Sequence, residues 1–343
     1  MADNLEIGDV VHAMSLPAAM IGPDARIFAY NAGFARIFGD GFMGRHFITV
    51  LRQPDLIDAI ETVFAGGAPM NATLMTRISG QDASFDVHAA KTGDLVIVSL
   101  VDRTDAEQME KMRTDFIANV SHELRTPLTA LSGFIETLRG AARHDPAAQD
   151  RFLRIMETEA GRMTRLVDEL MTLSKLEGTQ RQRPTDQVDI GEVVRLVQNT
   201  LGPIADAAGV AVDVDLPPAP VVVLGDAAQL QQVFTNLVEN AIKYGGSGKR
   251  VEITVGPHTM QPRLRTQGTA ITIQDFGDGI AAHHIARLTE RFYRVDSHRS
   301  REVGGTGLGL AIVKHILNRH RGRLKFESTV GQGTTAVVTL PQK

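Results

Sequence analysis

Cysteine is absent from the 343 residues, which excludes a disulfide framework, a thiolate metal centre and a Cys-linked flavin. No apolar run approaches the roughly 18 residues that a membrane-spanning helix needs. The longest, such as LVIVSLV from Leu95, are strand-sized, so no membrane segment is expected in this chain. Positive charge is not in excess: the net charge is −4, which leaves no basic footprint and no expectation of a nucleic-acid partner. The opening residues MADNLEIGD are acidic and lack a signal-peptide n-region, so a cytoplasmic location is expected. There is no G-K-[ST], which excludes a P-loop, and no strand precedes the run GGTGLGL in a βαβ unit, which excludes a dinucleotide fingerprint. Repeats and low-complexity tracts are also missing. What remains is ordinary globular composition, long enough for two or three domains that each bury a core.

The most ordered pattern in the chain is a helical stripe. Met109, Met112, Phe116, Val120, Leu124, Leu128, Leu131, Ile135 and Leu138 lie three or four residues apart, the period of one face of a long amphipathic helix. His122 sits midway between Val120 and Leu124. Two helical steps turn about 200°, so its imidazole points away from the apolar face. Thr126, four residues on, shares that outward face, and Glu123 sits beside it. Pro127 falls inside the pattern and is expected to kink the helix, because it lacks an N–H and crowds the carbonyl of Glu123. Taken alone, an exposed imidazole flanked by a carboxylate and a hydroxyl is either a nucleophile or a solvated surface histidine.

Residues 1–103 read as a small α+β module. Ile7–Met14 forms a short helix. Two short strands, 17–21 and 26–30, are separated by the turn Gly22-Pro23-Asp24. Asn31 caps a helix over NAGFARIFG, Leu56–Phe64 is another, and strands 71–78, 84–89 and 95–101 close the module. His12, His46 and His88 have no paired context and read as structural or exposed rather than as haem ligands. Residues 104–180 read as two long one-faced helices joined by the turn Arg143-His144-Asp145-Pro146, with Gly178 as the stop of the second. A lone hairpin leaves apolar surface uncovered, so pairing of two copies into a four-helix bundle, hence a homodimer, is expected. The first turns of the stripe, at Met109 and Met112, read as a coiled-coil connector. Residues 185–343 alternate helices (190–208, 227–244, 307–319 and a short one near 283–288) with strands (210–216, 221–224, 251–255, 270–274, 323–327 and 334–340). The expected form is a mixed sheet with helices on one face, a two-layer α/β sandwich with irregular loops at 256–268 and 293–306.

Four pieces of this third domain carry chemistry. In NLVENAIKY, the residues Asn236, Asn240 and Lys243 fall at i, i+4 and i+7 on one helix face, opposite a core face of Phe234, Leu237, Val238 and Ile242. Amide oxygens suit a hard cation and an ammonium suits phosphate, whereas a solvated helix face is the plain alternative. In DFGDGI, Asp275 ends a strand and can accept a hydrogen bond from an exocyclic amine, while Gly277 and Gly279 let a flat ring approach the backbone. A simple turn would look the same, and the H-R-D and V-A-I-K partners of the protein-kinase DFG are missing. ERFYRVD, from Glu290 to Asp296, is the third piece. In the fourth, GGTGLGL from Gly304, glycines at a helix N-terminus present free N–H groups and a positive dipole end to phosphates.

The run DFIANVSHELRTPLTALSGFIETL resembles the phospho-acceptor box of sensor histidine kinases, and the four later pieces, in this order and spacing, resemble the N, G1, F and G2 boxes of the family's ATP-binding domain. Residues 1–103 resemble a PAS sensor domain, although no residue pattern names a ligand for it. The flanks of the histidine box and the run HILNRHRGRLKFES look closest to phosphate-regulon sensor kinases. Those commonly carry membrane helices upstream, so membrane association is the alternative location if an anchor is missing from the chain. The resemblance implies Mg-ATP as the cofactor, His122 as the phosphorylated residue, Glu123 as holder of its Nδ1–H and general base, and Arg294 as the contact to the transferring phosphoryl group. It further implies that Asn240 ligates Mg²⁺ with Asn236 close by, that Lys243 meets phosphate, and that Tyr244 packs on adenine. Asp275 would bond the adenine amine, with Gly277, Gly279 and Ile280 lining the ring. Gly305, Thr306, Gly307, Leu308 and Gly309 would form the lid hinge and phosphate cradle. A response regulator aspartate would receive the phosphate, and the Glu123-x-x-Thr126 pattern resembles that of enzymes that also dephosphorylate their regulator. The rival readings are a catalytically inactive scaffold and a conformational ATPase of the same nucleotide fold, such as a chaperone or mismatch-repair ATPase; neither accounts for both the acceptor histidine and the full set of nucleotide residues.

Overall fold

A computed structural model describes residues 7–179, 183–245, 248–261, 264, 266–295 and 305–342. Asp296 and Gly304, the ends of two of the motifs, lie outside them. The chain divides into two compact units, Met1–Ala118 and Asn119–Lys343.

In the first unit, helix α1 (Ile7–Ala13) leads into strands β1 (Ala18–Ile21) and β2 (Ile27–Tyr30). Helices α2 (Ala32–Phe38) and α3 (Pro54–Phe64) follow, then strands β3 (Met70–Ile78), β4 (Gln81–Thr92) and β5 (Leu95–Asp102). The strands form one antiparallel sheet in the order β2-β1-β5-β4-β3. Asn31 does more than cap α2. Its Oδ1 accepts from Phe34 N at 3.0 Å and from Ala18 N at 3.1 Å, and its amide donates to Leu16 O at 2.7 Å. One short polar side chain therefore satisfies both a helix start and a strand start, which is what allows it to be buried. Phe34, Phe47, Leu56, Ile60 and Phe85 fill the space between sheet and helices. His12 and His88 are exposed and His46 stacks on Phe47.

Helix α4 (Thr104–Arg139) starts in this unit and continues into the second. Its first turn is clamped to β4: Asp102 Oδ1 accepts from Thr104 N at 2.9 Å, Thr104 Oγ1 accepts from Ser84 N at 3.0 Å, and Ser84 Oγ donates to Glu107 at 2.9 Å. The joint is thus a hydrogen-bonded capping arrangement instead of a free linker. α4 stays helical through Pro127. Helix α5 (Pro146–Thr179) begins with Pro at its first position and Asp145 accepting from Ala147 N and Ala148 N at 3.1 and 3.0 Å. It runs past Gly178, which is therefore not its stop. Leu166, Leu173 and Leu176 are buried, while Ile117, Leu128, Ile135, Leu153, Val167 and Met171 remain exposed along the hairpin.

The rest of the second unit is a layered α/β fold. Strands β7 (Ala211–Asp215), β9 (Arg250–Val255), β11 (Thr266–Asp275), β12 (Arg323–Thr329) and β13 (Gly333–Pro341) form a sheet in the order β12-β13-β11-β9-β7, parallel only between β7 and β9. Helices α6 (Ile190–Ala208) and α7 (Ala227–Tyr244) pack against it together with helix α9 (Gly309–Arg319). A short helix, α8, covers only Ala282–Ile285. Two sequence expectations need correcting. Strand β8 (Val222–Gly225) is not in the main sheet; it pairs with β6 (Asp186–Asp189), a strand too short and polar to stand out in the sequence. Within 256–268, expected to be irregular, β10 (Thr259–Gln261) pairs with the start of β11, because ladder hydrogen bonds do not require apolar side chains.

His320 joins two of these helices. It is wholly buried; its Nε2 accepts from Asp226 N, the N-cap of α7, at 3.0 Å, and its Nδ1 therefore donates to Ile316 O at 2.8 Å. Burial holds its pKa below the ordinary imidazole value, with Arg319 and Arg183 acting the same way and Ile316 and Asp226 opposing. The folded protein refuses a proton that the unfolded chain accepts. Stability is accordingly whole above about pH 6.5 and is lost as the pH falls through that value. Thermal unfolding followed by circular dichroism should show the parent losing on the order of 1 kcal/mol more than His320→Gln between about pH 7.5 and 5.5. Equal losses would remove His320 as the titrating group.

Candidate active site

His122 is exposed on α4, as its spacing predicts. Its neighbour Glu123 is not turned to it. Adjacent helical residues point about 100° apart, and the Glu123 carboxylate is held elsewhere: Oε2 accepts from Arg162 of α5 at 3.1 Å and from Arg294 at 3.2 Å. Arg162 also pairs with Glu159 at 3.5 Å. The hydroxyl of Thr126 donates to His122 O at 3.2 Å while the residue stays exposed.

The layered part of the unit contains a cavity of about 300 Å³. Helix α7 supplies Asn236, Asn240, Lys243 and Tyr244 to its wall; the end of β11 and the turn after it supply Asp275, Gly279 and Ile280; and Gly305, Thr306, Gly307 and Gly309 close it at the start of α9, with Arg294 beside them. Asp275 is placed for directed recognition. Its Oδ1 accepts from Gly277 N at 3.0 Å and from Thr334 N at 3.2 Å, and Oδ2 has no hydrogen bond among the described residues, so it can accept from a ligand. Burial raises its pKa, and the two backbone donors pull it back. Gly279 has φ +69°, and a Cβ there would meet Thr329 O at 2.1 Å; no other residue fits. Gly307, at φ +76°, lies where a Cβ would meet the backbone of Phe292 at 2.8 Å. Asn236 donates to Gly309 O at 3.2 Å, tying α7 to the glycine run, and Lys243 pairs with Glu239 at 2.6 Å.

Two residues expected at the cavity are not in its wall. Leu308 is fully buried at the N-cap of α9. Gly277 serves close packing: a Cβ would lie 2.5 Å from Gly245 Cα at the end of α7. Conversely, Arg165 and Glu169 of α5 line the cavity, and Thr306 Oγ1 donates to Glu169. Both read in the sequence as polar positions of an amphipathic helix, and no local signal distinguishes them. Among the described residues no three His, Cys, Asp or Glu side chains come together as a metal-ligand group. The Asn240 amide expected to ligate Mg²⁺ and the neighbouring Asn236 are both at the cavity. No helix among the described residues is long and apolar enough to cross a membrane.

Residues 112–179 match the His Kinase A (phospho-acceptor) domain family, and residues 225–343 match the family of histidine kinase-, DNA gyrase B-, and HSP90-like ATPases. The phosphate regulon sensor protein PhoR of Pseudomonas aeruginosa is 42% identical over 238 residues, covering 68% of this chain and 51% of that one. The chain belongs to the sensor histidine kinases. The sensor protein kinase WalK of Staphylococcus aureus is 38% identical over 260 residues, 75% of this chain and 61% of that kinase. This histidine kinase thus spans about half the length of the curated relatives it matches. Among solved structures, histidine kinase ThkA in complex with the response regulator protein TrrA has a TM-score of 0.53 at 18% identity over 98% of each chain, a likeness in fold alone.

Proposed function

We propose that this histidine kinase binds ATP in the cavity between α7 and the glycine run, transfers the γ-phosphate to Nε2 of His122, and passes it to an aspartate of a response regulator. The observation that carries the reading is the position of Arg294, which lines the cavity and is also paired with Glu123, the residue next to His122. Donor site and acceptor helix share one guanidinium. Arg294 Nε is buried with no partner among the described residues, so donor capacity remains for an incoming phosphate.

The step follows from these positions. The Nε2 lone pair forms the N–P bond, the bond to the bridging oxygen breaks, and ADP leaves; positioning and charge neutralisation do most of the work in such transfers. As Arg294 turns to the γ-phosphate, Glu123 keeps only Arg162 as a partner on Oε2, and its other carboxylate oxygen would take the Nδ1 proton, the role of base proposed for it. Lys243 would meet phosphate, Asp275 Oδ2 the adenine amine, and Tyr244 the ring face. Asn240 would hold Mg²⁺, which supplies neutralisation of phosphate charge.

Residues 1–103 would be a PAS-like sensor, 104–180 the connector and phospho-acceptor hairpin, and 185–343 the catalytic domain. Support for the first comes from the antiparallel order β2-β1-β5-β4-β3 with helices inserted between β2 and β3. Support for a homodimer comes from the apolar residues exposed along the hairpin, among them Leu128 at 51% and Leu153 at 56%. A cytoplasmic site of action accords with the use of ATP and a response regulator.

Incubation with ATP labelled at the γ- or the α-phosphate tests the kinase reading. Protein-bound label from the γ-position only is expected. Free phosphate with no bound label indicates a conformational ATPase, and neither product indicates an inactive scaffold.

The same surface would also dephosphorylate the regulator, with the Thr126 hydroxyl positioning water. Thr126→Ala should then autophosphorylate as the parent does but clear regulator phosphate about tenfold or more slowly. If both activities fall together, the bond from Thr126 to His122 O is the hydroxyl's whole role.

A further inference from the structure

The nucleotide cavity is not built from the catalytic layer alone. Arg165 and Glu169, one helical turn apart on α5, complete its wall from the phospho-acceptor hairpin. Glu169 is placed at one particular end of it. Its carboxylate accepts from the hydroxyl of Thr306, a residue only 7% exposed, and Thr306 Oγ1 in turn accepts from Leu308 N at 3.3 Å. Thr306 stands between Gly305 and Gly307, which precede α9 and belong to the proposed phosphate cradle. A negative charge from the hairpin therefore sits where the polyphosphate tail would lie.

Two negative and two positive side chains meet here. Glu239 also lines the cavity and repels Glu169, while Lys243, already paired with Glu239, and Arg165 attract it. Burial is the main influence on Glu169, and it raises the pKa. A half-buried carboxylate beside a second carboxylate carries a desolvation cost that its hydroxyl partner and the two cations offset only in part.

Resting on the ATP reading, we propose that Glu169 is a specificity-determining residue of the nucleotide site: carried by α5, its carboxylate opposes the terminal phosphate and lowers the affinity for triphosphate relative to nucleotides with fewer phosphates. The hairpin thereby sets how firmly the catalytic layer retains ATP while the two are in contact. Like charges a few ångströms apart in a partly desolvated site change affinity severalfold.

Titration calorimetry on the full chain with a non-transferable ATP analogue, ADP and adenosine tests this. Glu169→Gln keeps the size of the side chain and an oxygen that accepts from Thr306. Binding of the triphosphate should tighten about five- to tenfold, that of ADP by less, and that of adenosine not at all. Unchanged or weaker triphosphate binding overturns the proposal; weakening seen only with Mg²⁺ present would make Glu169 a metal ligand instead. Equal tightening for adenosine also overturns it, since the effect would then lie at the adenine end. So does loss of all three ligands by the variant alone, which would make Glu169 a structural anchor. If the parent itself binds none of the three, the ATP reading fails, a different outcome from any of these.

Discussion

His122→Gln should carry no phosphate after any length of incubation with ATP, while binding ATP as tightly as the parent. Glutamine is a good helix former of similar reach without a nucleophilic nitrogen, and position 122 is exposed, so the cost to stability should stay within about 0.5 kcal/mol. His122 does not line the nucleotide cavity, which is why affinity should be spared. Two measurements check this: label retained on the protein, and ATP binding by calorimetry. Residual label would place an acceptor elsewhere. Loss of ATP affinity would mean that the acceptor position contributes to the nucleotide site.

Asp275→Asn should weaken ATP binding by about ten- to a hundredfold, the range for a lost charge-assisted hydrogen bond. The substitution is nearly isosteric, and the amide oxygen can still accept from Gly277 N and Thr334 N, so the turn after β11 should survive. What changes is the other atom. Where Oδ2 could accept from an exocyclic amine, an NH2 group would face it, donor against donor. Guanine presents a carbonyl at the corresponding ring position, so the variant should lose less affinity for GTP than for ATP. Calorimetry with both nucleotides reads this out. Equal affinity of parent and variant for ATP would remove Asp275 from base recognition.

Much of the fold could be read from local pattern, and the limits of that reading have physical causes. The spacing from Met109 to Leu138 predicts one helix, and α4 runs Thr104–Arg139 because each residue on that face continues the same stripe. Asn31 marks a helix start by its chemistry, and it accepts from the expected backbone N–H group. The apolar run 221–224 reads as a strand but cannot name its partner, so the separation of β8 from the main sheet was not legible. The site divides in the same way. Asn236, Asn240 and Lys243 lie on one helix and reach the cavity together, as helical geometry requires. The links from Glu123 to Arg162 and Arg294, and from Thr306 to Glu169, join residues 39, 171 and 137 positions apart. Such contacts leave no trace in local periodicity. Leu308 and Gly277 show the converse: a motif position can be required for packing without touching the ligand.

The central claim is that the γ-phosphate of ATP ends on His122, and locating the phosphate tests it most directly. After incubation with Mg-ATP, digestion at alkaline pH and peptide mass spectrometry should find one phosphorylated peptide, residues 114–125, with the phosphoryl group on His122 and lost on brief acid treatment. That peptide also contains Thr114, Asp115 and Ser121, so the measurement can fail cleanly. An acid-stable phosphate on Thr114 or Ser121, or a phosphate only on another peptide, would contradict the account.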